Sequence, residues 1–184
     1  MAGIKENDPT RKKNSSGFTL IEMVIYVALF GIIMGMIFNM ILFVYGMNKR
    51  ITSYSSVTAD AHSAMERIVY EVTNSKYFYL PTSNFTNYNY IAGKSGQLSI
   101  ATEKYATVDD SISFMDFYVE GGTLFLNMDG FDPVPLTSSN VTVFDFDLDY
   151  FKNGQRESVR ISLKARSASE PTIMIDLINT ATIR

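Results

Sequence analysis

Residues 18 to 47, FTLIEMVIYVALFGIIMGMIFNMILFVYGM, run apolar with one charge, Glu22, and no proline. From Met23 to Met47, 25 consecutive residues carry no charge. At about 1.5 Å of rise per residue, such a helix exceeds the roughly 30 Å hydrocarbon core of a bilayer, so a transmembrane helix is predicted. A cleaved secretory signal fits less well, because its apolar core is about 7–15 residues long and no small-x-small site follows the span. Beyond Met47 the apolar positions thin to a stripe. Ile51, Tyr54, Val57, Ala61, Met65, Ile68 and Val72 recur at steps of three and four, which is one face of an amphipathic helix. Arg67 and Glu71 form an i, i+4 pair on its flank, in the less favourable order. No proline interrupts before Pro81, and Asn74-Ser75 offers a stop. One helix of about 55 residues, on the order of 80 Å long, is therefore expected. Its first half is greasy all round, and its second half packs on a domain through one face.

Residues 77–90, YFYLPTSNFTNYNY, hold six aromatic side chains and read as an ordered loop. From about residue 96 the hydrophobic period becomes two. Segments 112–119 (ISFMDFYV) and 123–128 (TLFLNM) flank Glu120-Gly121-Gly122, a hairpin signal. Segments 143–151 (VFDFDLDYF) and 156–166 (RESVRISLKAR) are joined through Asn153-Gly154, the favoured type I′ pair. That turn sets Leu148 opposite Val159, Phe146 opposite Ile161 and Phe144 opposite Leu163 on a greasy face. On the other face Asp147 meets Arg160, with Lys164 and Arg166 further along. Residues 172–178 (TIMIDLI) make a last strand. The fold class is α+β, a long N-terminal helix packed on an antiparallel sheet. Its expected segments are 1–17, a polar leader; 18–47, the apolar helix; 48–76, the amphipathic half of the same helix; and 77–184, the sheet domain.

Composition removes several functions. The 184 residues include no cysteine, which excludes disulfides and thiolate chemistry. Net charge is -3 and uneven. Residues 1–17 hold Lys5, Arg11, Lys12 and Lys13 against Glu6 and Asp8, whereas the remaining chain is acidic. An acidic body argues against nucleic acid as the main partner. The sole histidine, His62, provides neither a two-histidine zinc site nor a thiol-based triad, and reads as a solvated helix residue. Asp145, Asp147 and Asp149 alternate as calcium ligands can. An EF-hand loop counted from Asp145 would need Gly and a carboxylate where Tyr150 and Arg156 stand, so they read better as the polar face of a strand. Asn84-Phe85-Thr86 and Asn140-Val141-Thr142 match the short glycosylation sequon. No phosphate loop, nucleophile elbow or catalytic carboxylate pair is present. Neither catalytic residues, nor a metal, nor a cofactor is expected.

Glu22 remains. A carboxylate in a span costs roughly 2.5–3.5 kcal/mol at the helix centre and less near an end. It is either functional or simply reaches the headgroups at the cytoplasmic margin. Arg11-Lys12-Lys13 ahead of the span favour a cytoplasmic N-terminus, with the body outside; Lys49 and Arg50 after it weaken that rule.

Gly17-Phe18-Thr19-Leu20-Ile21-Glu22, behind a short basic leader and ahead of a greasy helix, closely resembles the class III signal of type IV pilins and type II secretion pseudopilins. The resemblance covers about residues 11–45. It implies that Gly17 ends a leader cut on the cytoplasmic side by a prepilin peptidase, a membrane aspartyl protease. Phe18 would become an N-methylated N-terminus, and Glu22 would serve assembly. Cleavage would leave an ammonium on Phe18, and Glu22 of one subunit could neutralise that of a neighbour as both become buried. The family implies a non-enzymatic subunit held in the bacterial inner membrane by one pass. Its partners would be other pilin or pseudopilin subunits, met through the apolar helix, and an inner-membrane assembly platform. There are departures. Where many pilins have a mid-helix proline, this chain has Asn39 after Gly31 and Gly35, glycines that lower helix stability and permit local melting. A C-terminal cysteine pair is absent. The pattern of the body is most similar to the larger minor subunits, a J-type pseudopilin or a PilW-like minor pilin. The expected function is a minor subunit that initiates or caps a filament for secretion, pilus biogenesis or competence. A permanently anchored extracellular binding or adhesion module is the alternative.

Overall fold

The computed structural model describes residues 17–91, 95–104 and 111–184. The leader cluster Arg11, Lys12 and Lys13 lies outside the described residues. Helix α1 spans Leu20–Thr73. Among the described residues, eight strands follow. The first five are β1 (Tyr77–Phe78), β2 (Gln97–Thr102), β3 (Ser113–Glu120), β4 (Thr123–Met128) and β5 (Val134–Pro135). The last three are β6 (Val141–Asn153), β7 (Arg156–Ser167) and β8 (Met174–Thr182). Two compact units are present, residues 1–46 and 47–184.

In the first unit α1 is unbroken through Gly31, Gly35 and Asn39. The Asn39 amide donates to the Gly35 carbonyl at 2.9 Å, so this polar side chain is satisfied on its own helix. An apolar 18-residue window on α1 has none of its residues buried. Leaving so many Ile, Met, Phe and Val side chains in water would forfeit about 25 cal/mol per Å2 of apolar surface. The segment is built for lipid or for other helices.

In the second unit the chain forms two antiparallel sheets where the sequence suggests one, a five-stranded β1-β2-β3-β4-β5 and a three-stranded β6-β7-β8. Both turn apolar faces into one hydrophobic cluster with α1. Val57, Ala61, Ala64, Met65, Ile68 and Val72 of the helix are buried with Leu98, Ile100, Phe117 and Leu124 of the first sheet and Phe146, Leu148, Ile161 and Leu163 of the second. Each fully buried Leu, Ile or Phe contributes about 1.5–3 kcal/mol. The first two members of the expected stripe are not part of this core. Ile51 and Tyr54 are more than half exposed. What reaches their turn is polar: Lys49 pairs with Glu170 at 3.3 Å, and Ser53 shares a hydrogen bond with Ser169. The helix ends where Asn74 and Ser75 turn their side chains back to the carbonyls of Tyr70 and Val72.

The β3–β4 hairpin turns on Gly121 and Gly122, both at positive φ, as expected of that pair. The β6–β7 hairpin corrects the expected register. Asn153 pairs with Arg156, which leaves Gly154-Gln155 as the loop. Gly154 has φ +61° and, among the described residues, no non-glycine has positive φ, so Gly154 takes the first central position of a type II′ turn instead of the second position of a type I′ turn. From the turn to Asp145 every pairing shifts by two residues. Leu148 meets Ile161, Phe146 meets Leu163, and Asp149 rather than Asp147 meets Arg160. A shift of two preserves the faces, so the buried residues are still the expected ones. Phe144 is the exception. A bulge between Val143 and Asp145 makes it the extra residue, half-exposed beside the Arg166 guanidinium, while Val143 and Ala165 are buried. The last strand begins at Met174 and runs to Thr182, later than expected, because the Ile173 carbonyl and N–H close a turn with Ser167 and Glu170.

Candidate processing and assembly site

Residues 17–19 precede α1 without regular structure, and Thr19 sets the first turn. Its carbonyl accepts the N–H groups of Glu22 and Met23 at 3.1 and 3.2 Å, and its hydroxyl lies 3.4 Å from the Glu22 nitrogen. Thr19 is thus the N-cap, with Glu22 at the third helical position, the spacing of a capping box. A carboxylate in the first turn also faces the positive end of the helix dipole. Four residues on, the Tyr26 hydroxyl donates a long hydrogen bond to the Glu22 carboxylate at 3.4 Å. The Phe18 and Tyr26 rings meet edge-on at 6.1 Å. Phe18, Glu22 and Tyr26 therefore share one face of the helix start.

Gly17 stands apart from this packing. A Cβ built there meets nothing within 4 Å among the described residues. Its backbone angles are not in the left-handed region either, so no constraint among the described residues explains a glycine at 17.

Thr19 and Tyr26 are additions to the residues singled out from sequence. The signals that could have found them are the Thr-x-x-Glu spacing and the i, i+4 step from Glu22.

The remaining candidates are placed as follows. His62 is exposed on α1. Asp149 receives two hydrogen bonds from the Arg160 guanidinium, the shorter at 2.7 Å, and Asp145 pairs with Lys164 at 2.7 Å. Asp147 lies between them, opposite Ser162. Desolvation, then the neighbouring Asp145, pushes its carboxyl above the ordinary range. Among the described residues, no group of three or more metal-capable side chains forms. Asn84 of the first sequon is buried, its amide donating to Ser95 and its carbonyl oxygen accepting from Ile91. Asn140 of the second is exposed.

Comparison with family models matches residues 12–38 to the prokaryotic N-terminal methylation motif. Comparisons with curated proteins and with solved structures find no match. The chain carries the class III signal of type IV pilins and pseudopilins. That motif supports a pilin-type function in general terms, and it sits at the head of an apolar N-terminal helix suited to membrane anchoring. It implies processing by a prepilin peptidase and assembly with other pilins.

Proposed function

We propose that this chain is a minor pilin or pseudopilin, cut between Gly17 and Phe18, held in the inner membrane, and then drawn into a filament that it initiates or caps. The observation that carries the reading is the methylation motif seated at the head of an uncovered apolar helix, with Gly17 unpacked among the described residues. A glycine with no packing or backbone requirement among the described residues is available to be read by an outside agent such as a peptidase. Phe18 then gains an ammonium four residues from Glu22. Within one subunit Tyr26 supplies a neutral donor to the carboxylate. In a stack, the Phe18 amine of a neighbouring copy supplies a charged one, and charge-assisted hydrogen bonds are roughly twice as strong as neutral ones. Pairing both charges offsets the cost of holding either in a low-dielectric environment.

The test is co-expression with a prepilin peptidase followed by intact-mass and N-terminal analysis. The expected product begins at N-methylated Phe18. A chain that still begins at Met1 or Ala2 overturns the reading in favour of a permanently anchored binding module.

A further inference from the structure

Strands β2, β3 and β4 contain no lysine, arginine or histidine. Alternation along them sends Leu98, Ile100, Met115, Phe117, Leu124 and Leu126 into the core. It therefore leaves Phe114, Asp116 and Tyr118 of β3, with Phe125 and Asn127 of β4, half-buried on the opposite face. Asp116 is paired with Asn127, and Tyr118 with Phe125. The Tyr118 and Phe125 rings lie nearly parallel, 22° apart with centroids at 5.8 Å. On the other side of Asp116, the Phe114 ring meets that of Tyr79 at 4.8 Å. At about 3.4 Å per residue, Phe114 and Tyr118 each stand roughly 7 Å along β3 from Asp116.

Ring contacts between neighbouring strands steady a sheet, which accounts for the aromatic pairs. It gives no use to the polar row between them. Among the described residues the Asp116 carboxylate and the Asn127 amide make no hydrogen bond and no ion pair. Ser99, opposite Asp116 in β2, is fully buried, and its hydroxyl is likewise without a partner. Asp129, just past β4, is committed instead, accepting the Phe114 N–H at 3.1 Å. The donor and acceptor set selects the ligand. An ionised Asp116 only accepts, whereas the Asn127 side chain both donates and accepts. Neighbouring sugar hydroxyls do both as well, and the C–H face of a sugar ring suits the negative face of an aromatic one. An anion meets no cation in these strands. A lone cation would use Asp116 but not the amide donor, and two nearly parallel rings make a shelf rather than a cage around it.

We propose that this face of the first sheet binds a neutral oligosaccharide. One sugar ring rests on Tyr118 and Phe125, the next lies toward Phe114 and Tyr79, and Asp116 and Asn127 hold the hydroxyls between them. The site lies wholly within the second unit and rests neither on cleavage at Gly17 nor on the filament reading, so it is testable without a peptidase.

The full chain, purified in a detergent without a sugar headgroup, is titrated with neutral hexasaccharides of glucose, galactose, mannose and N-acetylglucosamine. Binding is followed by saturation-transfer-difference NMR. At least one hexasaccharide is expected to bind, with the strongest transfer to its ring C–H protons. For that sugar, Tyr118→Ala and the nearly isosteric Asp116→Asn should each weaken binding about fivefold to tenfold, the scale of a lost ring contact or charged hydrogen bond. The far-UV circular dichroism of both variants should match the parent's. Tyr118→Phe, which keeps the ring, should bind as the parent does, and so should Tyr70→Ala, which removes an exposed ring from α1. Absence of transfer to all four sugars overturns the site, as does binding that survives both face variants or falls equally in Tyr70→Ala. Tetramethylammonium binding where no sugar binds overturns the saccharide assignment, since it makes the ligand a cation.

Discussion

Gly96 donates its N–H to the Phe146 carbonyl at 2.9 Å, and a Cβ built on Gly96 would stand 2.2 Å from that same oxygen. The contact ties the approach to β2 onto the free edge of β6. Thr86, donating to Leu148 at 2.7 Å, and Asn87, bonded both ways to Tyr150, secure the same edge. A strand edge that would otherwise invite pairing with another chain is closed by backbone from elsewhere in the fold.

The first prediction follows from that distance. The obstruction at 96 is backbone, which cannot rotate aside, so Gly96→Ala must break the hydrogen bond or push the two segments apart. Either costs about 1–3 kcal/mol, the scale of overpacking or of a buried group left unpaired. Thermal unfolding of the full chain in detergent, followed by near-UV circular dichroism, should show a midpoint lower by several degrees. Gly17→Ala, where a Cβ meets nothing among the described residues, should leave the midpoint unchanged.

Glu71 leads to a second prediction. Its carboxylate is almost wholly buried, yet the same oxygen is reached by Arg67 at 2.8 Å and Lys104 at 3.5 Å, both of which keep more than two-fifths of their side-chain surface in water. Removing one member of a fully buried pair costs about 3–5 kcal/mol, because a buried charge is stranded. Here the stranded charges can rehydrate, so Glu71→Gln is expected to cost only about 1–2 kcal/mol, nearer to a lost charged hydrogen bond. Chemical denaturation measures it. A loss at the level of a fully buried pair would mean that the cations cannot rehydrate.

Tyr150 makes stability depend on alkaline pH. It lies among the Phe78, Phe85 and Tyr88 rings, and burial, then its hydrogen bond to Glu157, raises its hydroxyl from 10.0 to about 12. The folded state therefore holds the proton after the unfolded chain has lost it. Between pH 10 and about 12 the unfolded state binds fewer protons, and stability falls as pH rises. Tyr150→Phe removes this dependence, so its unfolding midpoint should decline less steeply across that window than the parent's. Parallel slopes would sink the assignment.

Local rules explain which parts of this fold are readable in the chain. The 3.6-residue stripe marks Val57, Ala61, Met65, Ile68 and Val72, and the two-residue period marks Phe146, Leu148, Val159, Ile161 and Leu163; all are buried. Register is less legible. Asn153-Gly154 satisfies type I′ chemistry on paper, but Gly-Gln satisfies type II′ just as well, and the two turns differ by a shift that leaves every face unchanged. Phe144 misleads because a bulge has no one-residue signature. The polar links between distant segments, Lys49 to Glu170 and the Ser138 N–H to the Asp60 carboxylate, are silent in the sequence because a single surface charge has many possible partners. The helix start is the opposite case. Gly17 to Glu22 is recognisable as a motif, and Thr19 could be read as its cap from spacing alone.

Glu22 carries the last prediction, in which the capping and assembly roles separate. In the proposed filament its carboxylate meets the Phe18 ammonium of a neighbour, whereas among the described residues of one chain it meets the Tyr26 hydroxyl and the first turn of α1. Glu22→Gln keeps the shape and the capacity to bond Tyr26 but removes the charge. Glu22→Val removes both. If neutralising the neighbour's amine is what matters, both variants should be processed at Gly17 as completely as the parent, and both should be incorporated poorly into filaments. Loss should be at least tenfold, since an unpaired charge in a low-dielectric environment costs about 2.5–3.5 kcal/mol at full depth and less near the helix end. If the cap and Tyr26 contact matter instead, Glu22→Gln should assemble normally and Glu22→Val alone should fail. Sheared-filament immunoblots, normalised to processed protein in the membrane, separate the outcomes. Normal incorporation of both variants would remove Glu22 from assembly altogether.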